Sequence, residues 1–530
     1  MITTQQNNLA QWSFTSGQTY ADPFNDIILD IDITNQTGHT QRIPAYWAGG
    51  NTWSVRYASP QTGTYTYQSI CSDTNNPDLH SQTGQIEITP YTGNHPLYKH
   101  GPLKVSDNKR HLQHHDDTPF FWYGDTWWMA LCDRLTWPAN FQTLTEDRKN
   151  KNFTVIQFVA GLYPDMSEFD TRGKNAVGFS WEPNFERINP AFFDQADQRV
   201  FHLLHQGLIP CVLGCWGYYL HWLGAEKMKQ HWRYLIARWG ALPVTWCLAG
   251  EGSMPYYLSK TKDEDRADLK TGWTDIARYV RETDPYHHPL TIHPSVSARD
   301  TVDDPSVLNY DMLQTGHGDR QSIPNTIKRI TKAYTTEPTM PVFNSEVCYE
   351  GIGEACRQEV QRFMFWICML NGACGHTYGA NGIWQVNTKE KPFGPSPHGR
   401  SWGNTPWQDA MQLPGSAQLG ICKAFLERYN WWQIEPHPEW VENHATTEKV
   451  FAPYAGGIGK TMRFVFLPSG VWNTTLTQLE TDVSYHAFLF DPITGNTHDI
   501  GDVSPTPENT WKLPTTLPIF QDWVLVLEAQ

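Results

Sequence analysis

Eight short apolar runs, alternating with amphipathic stretches between about residues 100 and 430, constrain this chain more than any other feature. They are FFWYGDTWW (120–128), VIQFVAG (155–161), IPCVLGCWG (209–217), VTWCLAGEG (244–252), PLTIHPS (289–295), YDMLQTGHG (310–318), PVFNSEVCYEG (341–351) and GHTYGANGIW (375–384). A near-continuous apolar run is how a parallel strand buried on both faces reads. Helical spacing lies between them, in ADQRVFHLLHQG (196–207), AEKMKQHWRYLIARWG (225–240) and CRQEVQRFMFWICMLNG (356–372). Eight strand–helix repeats in about 330 residues predict an α/β fold, a (β/α)8 barrel. A doubly wound sheet would need a glycine-rich phosphate loop after an early strand, and the sequence has none.

The texture differs on either side. DIILDIDIT (26–34), GTYTYQSICS (63–72) and GQIEITPY (84–91) alternate like half-buried strands and predict an N-terminal β-sandwich over residues 1–95. The barrel then occupies 96–433. GKTMRFVFLPSG (459–470), YHAFLFDPITGNTHDIG (485–501) and QDWVLVLEAQ (521–530) predict a second small β-sandwich over 434–530, with DPITGN as a hairpin turn. Three domains suit 530 residues, too many for one core. The flanking sandwiches could bind polysaccharide, or brace the barrel and build a homo-oligomer; bracing is expected, because neither carries an obvious row of surface aromatics.

A formal charge of −15, with no run of Lys or Arg, argues against a nucleic-acid partner. No window approaches eighteen uninterrupted apolar residues, so no membrane partner is expected. The opening MITTQQNNLAQWSF has neither a basic n-region nor an apolar h-region. That predicts a cytoplasmic chain, or a periplasmic or secreted one if a leader has been trimmed. Cys211, Cys215, Cys247, Cys348, Cys368, Cys374 and Cys422 lie in apolar runs, where a reduced thiol acts as a small core residue. The Cys211/Cys215 pair has no second pair at zinc spacing. HLQHHDD (111–117) precedes the first strand and reads as a solvated turn. Neither a metal nor a cofactor is expected.

In such barrels the chemistry stands at the C-terminal ends of the strands. Read in order, those ends supply Asp125 and Trp127, Gln157, Trp216 and Tyr218, Glu251, His293, Gln314 and His317, Glu346 and Tyr349, then Tyr378 and Asn381. Acids, amides, imidazoles and rings of this kind suit a sugar, whose C–H face packs on an aromatic face. Aromatics are 13% of the chain, with 24 Trp. Trp127, Trp128, Trp216, Trp384 and Trp402 cannot all be platforms, and two or three are expected in the pocket.

Glu251 and Glu346 are carboxylates at the ends of the fourth and seventh apolar strands, nearly across the barrel mouth. Glycosidic cleavage needs one acid to protonate the leaving oxygen and one carboxylate near the anomeric carbon. Blander roles remain open. Glu251 could cap the next helix, and Glu346 could pair with an arginine. Asp125 could hold a hydroxyl or brace the loops. His293 and His317 could face sugar or nucleophile, or be structural.

The order of strands, with Glu after the fourth and Glu after the seventh, resembles the clan A glycoside hydrolases, which are retaining. PFFWYGDTWWMAL (119–131), GHTYGANGIWQ (375–385) and WGNTPWQDAMQLPGSAQLGICKAFLE (402–427) resemble the apiosidase-like barrel family, family 140 of the glycoside hydrolases. The first zone resembles the β-sandwich that often precedes this barrel, and the last a C-terminal module once described as collagen-binding. The resemblance implies Glu251 as acid/base and Glu346 as nucleophile, acting on an oligo- or polysaccharide. Two departures stand out. Gly250 occupies a place where many clan A enzymes carry Asn, and Glu251 one where the family can carry Asp. A transglycosylase would share every residue named, whereas a non-catalytic sugar-binding barrel would have lost one carboxylate.

Overall fold

The computed structural model describes residues 1–514 and 516–530. Eight parallel strands make the central sheet: β1 (Trp122–Thr126), β2 (Val155–Val159), β3 (Ile209–Trp216), β4 (Thr245–Gly250), β5 (Leu290–Thr291), β6 (Asp311–Gln314), β7 (Val342–Glu346) and β8 (Gly375–Tyr378). Each falls inside one of the eight apolar runs. β2, β3, β4 and β7 are buried at every position, which is why their sequences show no alternation. The ladder runs β5-β4-β3-β2-β1-β8-β7-β6.

Only the β5/β6 seam lacks strand-to-strand pairing among the described residues. There Leu290 N–H donates to Asn309 Oδ1 (2.9 Å), Asn309 N–H to Leu290 O (2.8 Å) and Thr291 Oγ1 to Tyr310 O (2.8 Å). Near the strand starts, Trp122 stacks on Phe343 at 4.5 Å and plugs the barrel floor. The three anticipated helices run Pro190–His205, Tyr219–Trp239 and Gln358–Leu370.

N-terminal strands form a five-stranded and a three-stranded sheet around Leu29, Ile31, Ile33, Trp53, Val55, Ile86 and Ile88. Buried Arg56 ties this unit to the barrel through Asp197 and the Arg238 carbonyl (2.7 Å). The C-terminal six-stranded sheet is buried on both faces at Met462–Leu467. Phe464 and Phe466 turn towards the barrel core, while Val465 and Leu467 join a separate cluster. Phe425 stacks on Phe490 at 3.8 Å across this junction. DPITGN joins two antiparallel strands, Tyr485–Phe490 and Thr497–Asp502. Trp472 and Phe520 form one exposed ring pair here, centroids 6.3 Å apart, which the sequence reading did not anticipate.

HLQHHDD is a solvated turn only at His115–Asp117. Leu112–His114 pairs with Leu103–Val105 and Pro119–Phe120, and His111 and His114 are buried. His114 Nδ1 is satisfied by Gly101 O at 2.7 Å. Among the described residues no group of three or more His, Cys, Asp or Glu side chains could hold a metal, and no helix is long and apolar enough to cross a membrane. All ten cysteines are buried free thiols.

Candidate active site

A cavity of about 200 Å³ opens at the C-terminal ends of the barrel strands, and both Glu251 and Glu346 line it. A larger groove of about 750 Å³ lies at the opposite end, beside Ala373 and Cys374 just before β8. It contains neither carboxylate of this pair.

β4 ends at Gly250, and Glu251 follows in a left-handed conformation, φ +43°. Such backbone is uncommon for a side-chain-bearing residue and clusters where function demands it. The turn is held by Met254 N–H to Glu251 O (2.7 Å) and Gly252 N–H to His293 O (3.0 Å). The next helix begins only at Lys262, so Glu251 caps nothing. Its neighbouring glycines make room for protein, not for sugar. A Cβ on Gly250 would stand 2.2 Å from the Trp216 ring, and one on Gly252 would stand 2.3 Å from Ile292 Cδ1. Trp216 therefore occupies the space in which an asparagine side chain would have to start.

Glu346 ends β7 directly opposite Gln314, where the β6/β7 register shifts by a bulge. Bulges re-aim side chains, and here the result is one amide shared by two acids. Gln314 Nε2 donates to Glu251 Oε1 at 3.2 Å and to Glu346 Oε1 at 3.0 Å. His317 Nε2 lies 2.8 Å from the same Glu346 oxygen, and His293 Nε2 lies 3.4 Å from the other. The Tyr349 hydroxyl, beside Glu346, accepts from Trp128 Nε1 at 3.1 Å.

These surroundings drive the two acids apart. Burial, then the negative charge of Glu346, pushes the Glu251 carboxyl up to about 8, with only Gln314 and His317 opposing. Burial acts on Glu346 in the same direction. There it is outweighed by the His317 hydrogen bond, the two histidines' charge and Tyr349, so Glu346 sits below the ordinary carboxylate range. Burial lowers the His317 imidazole, but Glu346 beside it prevails and raises it, while His293 is lowered by burial. One acid is thus kept protonated at neutral pH and the other ionised.

Of the expected binding residues, Trp216, Gln314, His317, Tyr349, Trp384 and Trp402 line the cavity, and Trp128 joins them. Seven others stand behind its wall. Asp125 is fully buried, accepting from Arg148 Nε (2.6 Å), Trp127 Nε1 (2.7 Å) and its neighbour's N–H, so of its two readings the brace is the one realised. Trp127 is fully buried by that contact. Gln157 donates to Thr126 Oγ1 (2.9 Å) and Ser345 O (3.0 Å) beneath the mouth. The Tyr218 hydroxyl bonds the carbonyls of Tyr163 and Met166, both at 3.3 Å. Tyr378 donates to Glu350 Oε2 (2.6 Å), and Asn381 Nδ2 holds Trp402 O (2.6 Å). His293 lies under Glu346, its ring edge on Trp128. Six of them sit at or just past strand ends, but Gln157, expected there too, is the middle residue of β2. The pleat and the packing of the layer below turn them away from the cavity.

The sequence reading missed Pro164, Asp165, Met254, Tyr257, Ile352 and His398, which complete the wall from between the strands. No strand-end pattern marks them. Only Asp165, an acid eight residues after Gln157, was a visible chemical signal.

The Asp125–Arg148 pair carries a stability prediction. Both side chains are fully buried, and Arg148 also donates to Met411 O at 3.2 Å. Arg148→Met leaves Asp125 charged without its partner and is expected to cost about 3–5 kcal/mol. Adding Asp125→Asn should recover part of the loss. Denaturant midpoints of the native protein, the Arg148→Met and Asp125→Asn single variants and the double variant measure this, and additive losses would mean that the pair is not coupled.

Comparison with known proteins follows the same outline. The sequence profile described as "Apiosidase-like, catalytic domain" matches residues 106–433, and a domain of unknown function, DUF5060, matches residues 3–72. Among solved structures the chain is similar to a protein of Bacteroides vulgatus described as a candidate glycoside hydrolase, at 16% identity and TM-score 0.71, with the whole of both chains covered. It is similar to a glycoside hydrolase family 5 protein of the same species, at 20% identity and TM-score 0.67, covering 82% of this chain and 95% of that one. A third, described as a glycoside hydrolase, gives 20% identity and TM-score 0.67, covering 82% and 98%. These similarities show a shared fold. No curated protein sequence matches the chain.

Proposed function

Because the chain belongs to the apiosidase-like catalytic family, we propose that it is a retaining glycosidase in which Glu346 attacks the anomeric carbon while Glu251 protonates the leaving oxygen. The observation that carries this reading is the single Gln314 nitrogen in contact with both carboxylates. Their facing oxygens cannot be further apart than the sum of 3.2 and 3.0 Å. That closeness is compatible with the ~5–5.5 Å between carboxyl groups of a retaining site.

In the first step the ionised Glu346 oxygen forms a bond to the anomeric carbon. The glycosidic bond breaks, and the Glu251 proton goes to the departing oxygen. In the second, Glu251, now a carboxylate, takes a proton from water, whose oxygen displaces Glu346 and restores the starting state. Gln314 and His317 hold the nucleophile in place. Trp216 and Trp384 line the cavity and offer ring surface for the C–H face of a sugar. The substrate is an oligo- or polysaccharide, with one of its sugars in the cavity.

Retention is tested directly by proton NMR of the first-formed product anomer, using aryl glycosides and plant, algal and bacterial oligosaccharides. A product of the substrate's configuration is expected, and an inverted first product would defeat the proposal. Transfer to an added acceptor sugar in preference to water would favour a transglycosylase built on the same intermediate.

A further inference from the structure

The proposed function uses Glu251 and Glu346 and leaves a third carboxylate of the same cavity without a role. Asp165 lies in the loop after β2, lines the cavity with both acids and is 6% exposed. Its backbone is left-handed, φ +56°, a conformation that aspartate and asparagine tolerate better than most residues.

Its partners distinguish it from the structural acids of this fold. Asp125 and Asp197 are each locked to a buried arginine. Asp165 instead accepts from the Ser396 hydroxyl, 2.6 Å to Oδ1, with the Tyr257 side chain beside it in the cavity wall. Arg172 meets only its backbone oxygen, at 3.1 Å, and pairs its own charge with Asp170. Among the described residues no lysine or arginine forms an ion pair with the Asp165 carboxylate. A carboxylate offers about four acceptor sites, so the Ser396 hydroxyl leaves acceptor capacity on a residue that lines the cavity. The wall around it is rigid. Trp402 Nε1 donates to Ser396 Oγ at 3.1 Å, so the Trp402 ring and Asp165 are fixed by one serine. The Asp165 charge also adds to what raises Glu251.

Resting on the glycosidase reading, we infer that Asp165 is a specificity residue, accepting hydrogen bonds from hydroxyls of the sugar held between Glu251 and Glu346. Ser396 orients it, and Trp402 lies alongside as a ring platform.

The test is calorimetric titration of neutral aldoses and their monodeoxy forms into the Glu346→Gln protein, with and without Asp165→Asn. Asparagine keeps the size and tolerates the backbone but turns one acceptor into a donor. The best-bound aldose is expected to weaken ~10–100-fold, the worth of a hydrogen bond to a charged group. One monodeoxy form, lacking the hydroxyl that Asp165 accepts, should bind both proteins alike. Ser396→Ala, which loosens the wall, should weaken all of the sugars together.

Equal affinity of the two proteins for the parent aldose would overturn the inference. So would an equal loss on every deoxy form, which is the mark of a brace, or no aldose binding at all. Turnover by the native enzyme that survives Glu346→Gln would remove the retaining mechanism instead, and the binding comparison would still decide the role of Asp165.

Discussion

Replacing Glu346 with alanine is expected to lower kcat on any good substrate by ~10³-fold or more, because the covalent route loses its nucleophile. The physical case rests on how completely the surroundings serve that one group. Gln314 donates to it, His317 lies within hydrogen-bond reach, and His293 and Tyr349 stand close by; together they favour the ionised form of a carboxylate that burial alone would protonate. The vacated space should admit a small anion. With azide added, Glu346→Ala is expected to form a glycosyl azide of inverted configuration, since azide would displace the leaving group in one step. Hydrolysis at the native rate, with circular dichroism unchanged, would show that Glu346 is not the nucleophile. Glu346→Gln serves as the control that keeps the shape of the site.

Glu251→Ala should cost ~10²–10⁴-fold on sugar leaving groups, the usual worth of a positioned proton donor. Aryl glycosides with acidic phenols should lose far less in the first step, because their leaving oxygen needs little protonation. The pH profile supplies a second readout. Glu251 must enter the reaction protonated, and its carboxyl is raised to about 8, so kcat/KM of the native enzyme should fall as pH rises through that region. The acid limb, set by protonation of Glu346, should lie below the usual carboxylate range. In Glu251→Ala the basic limb near 8 should vanish. Its persistence would assign that limb to another group.

Much of this was legible in the chain. A parallel strand buried on both faces leaves a continuous apolar run, so each run could be read without its neighbours. A single acid at the end of such a run stands out because burial of a charge needs a reason. Glu251 and Glu346 were conspicuous on that ground alone. Asp125 was equally conspicuous, and its fate shows the limit. It ends an apolar strand as the other two do, yet Arg148 reaches it from a helix and seals it beneath the mouth. Local sequence does not encode which strand-end side chain faces the cavity and which meets the layer below. That depends on the pleat, the bulge between β6 and β7, and what packs from outside.

By itself the sequence determined the eight strands, their parallel arrangement and the two acids at their ends, since hydrophobic burial at short range writes those directly as runs and breaks. Tertiary structure alone decided the rest. Gly250 is glycine because the Trp216 ring lies 2.2 Å from where a Cβ would stand, a constraint set by a side chain of the preceding strand. Asp165 and Ser396 are 231 residues apart and meet only when two loops close over the barrel. The opposite shifts of the Glu251 and Glu346 carboxyls follow from how closely the histidines stand to each. Burial and electrostatics at a site depend on distance in space, and only the closed barrel fixes that.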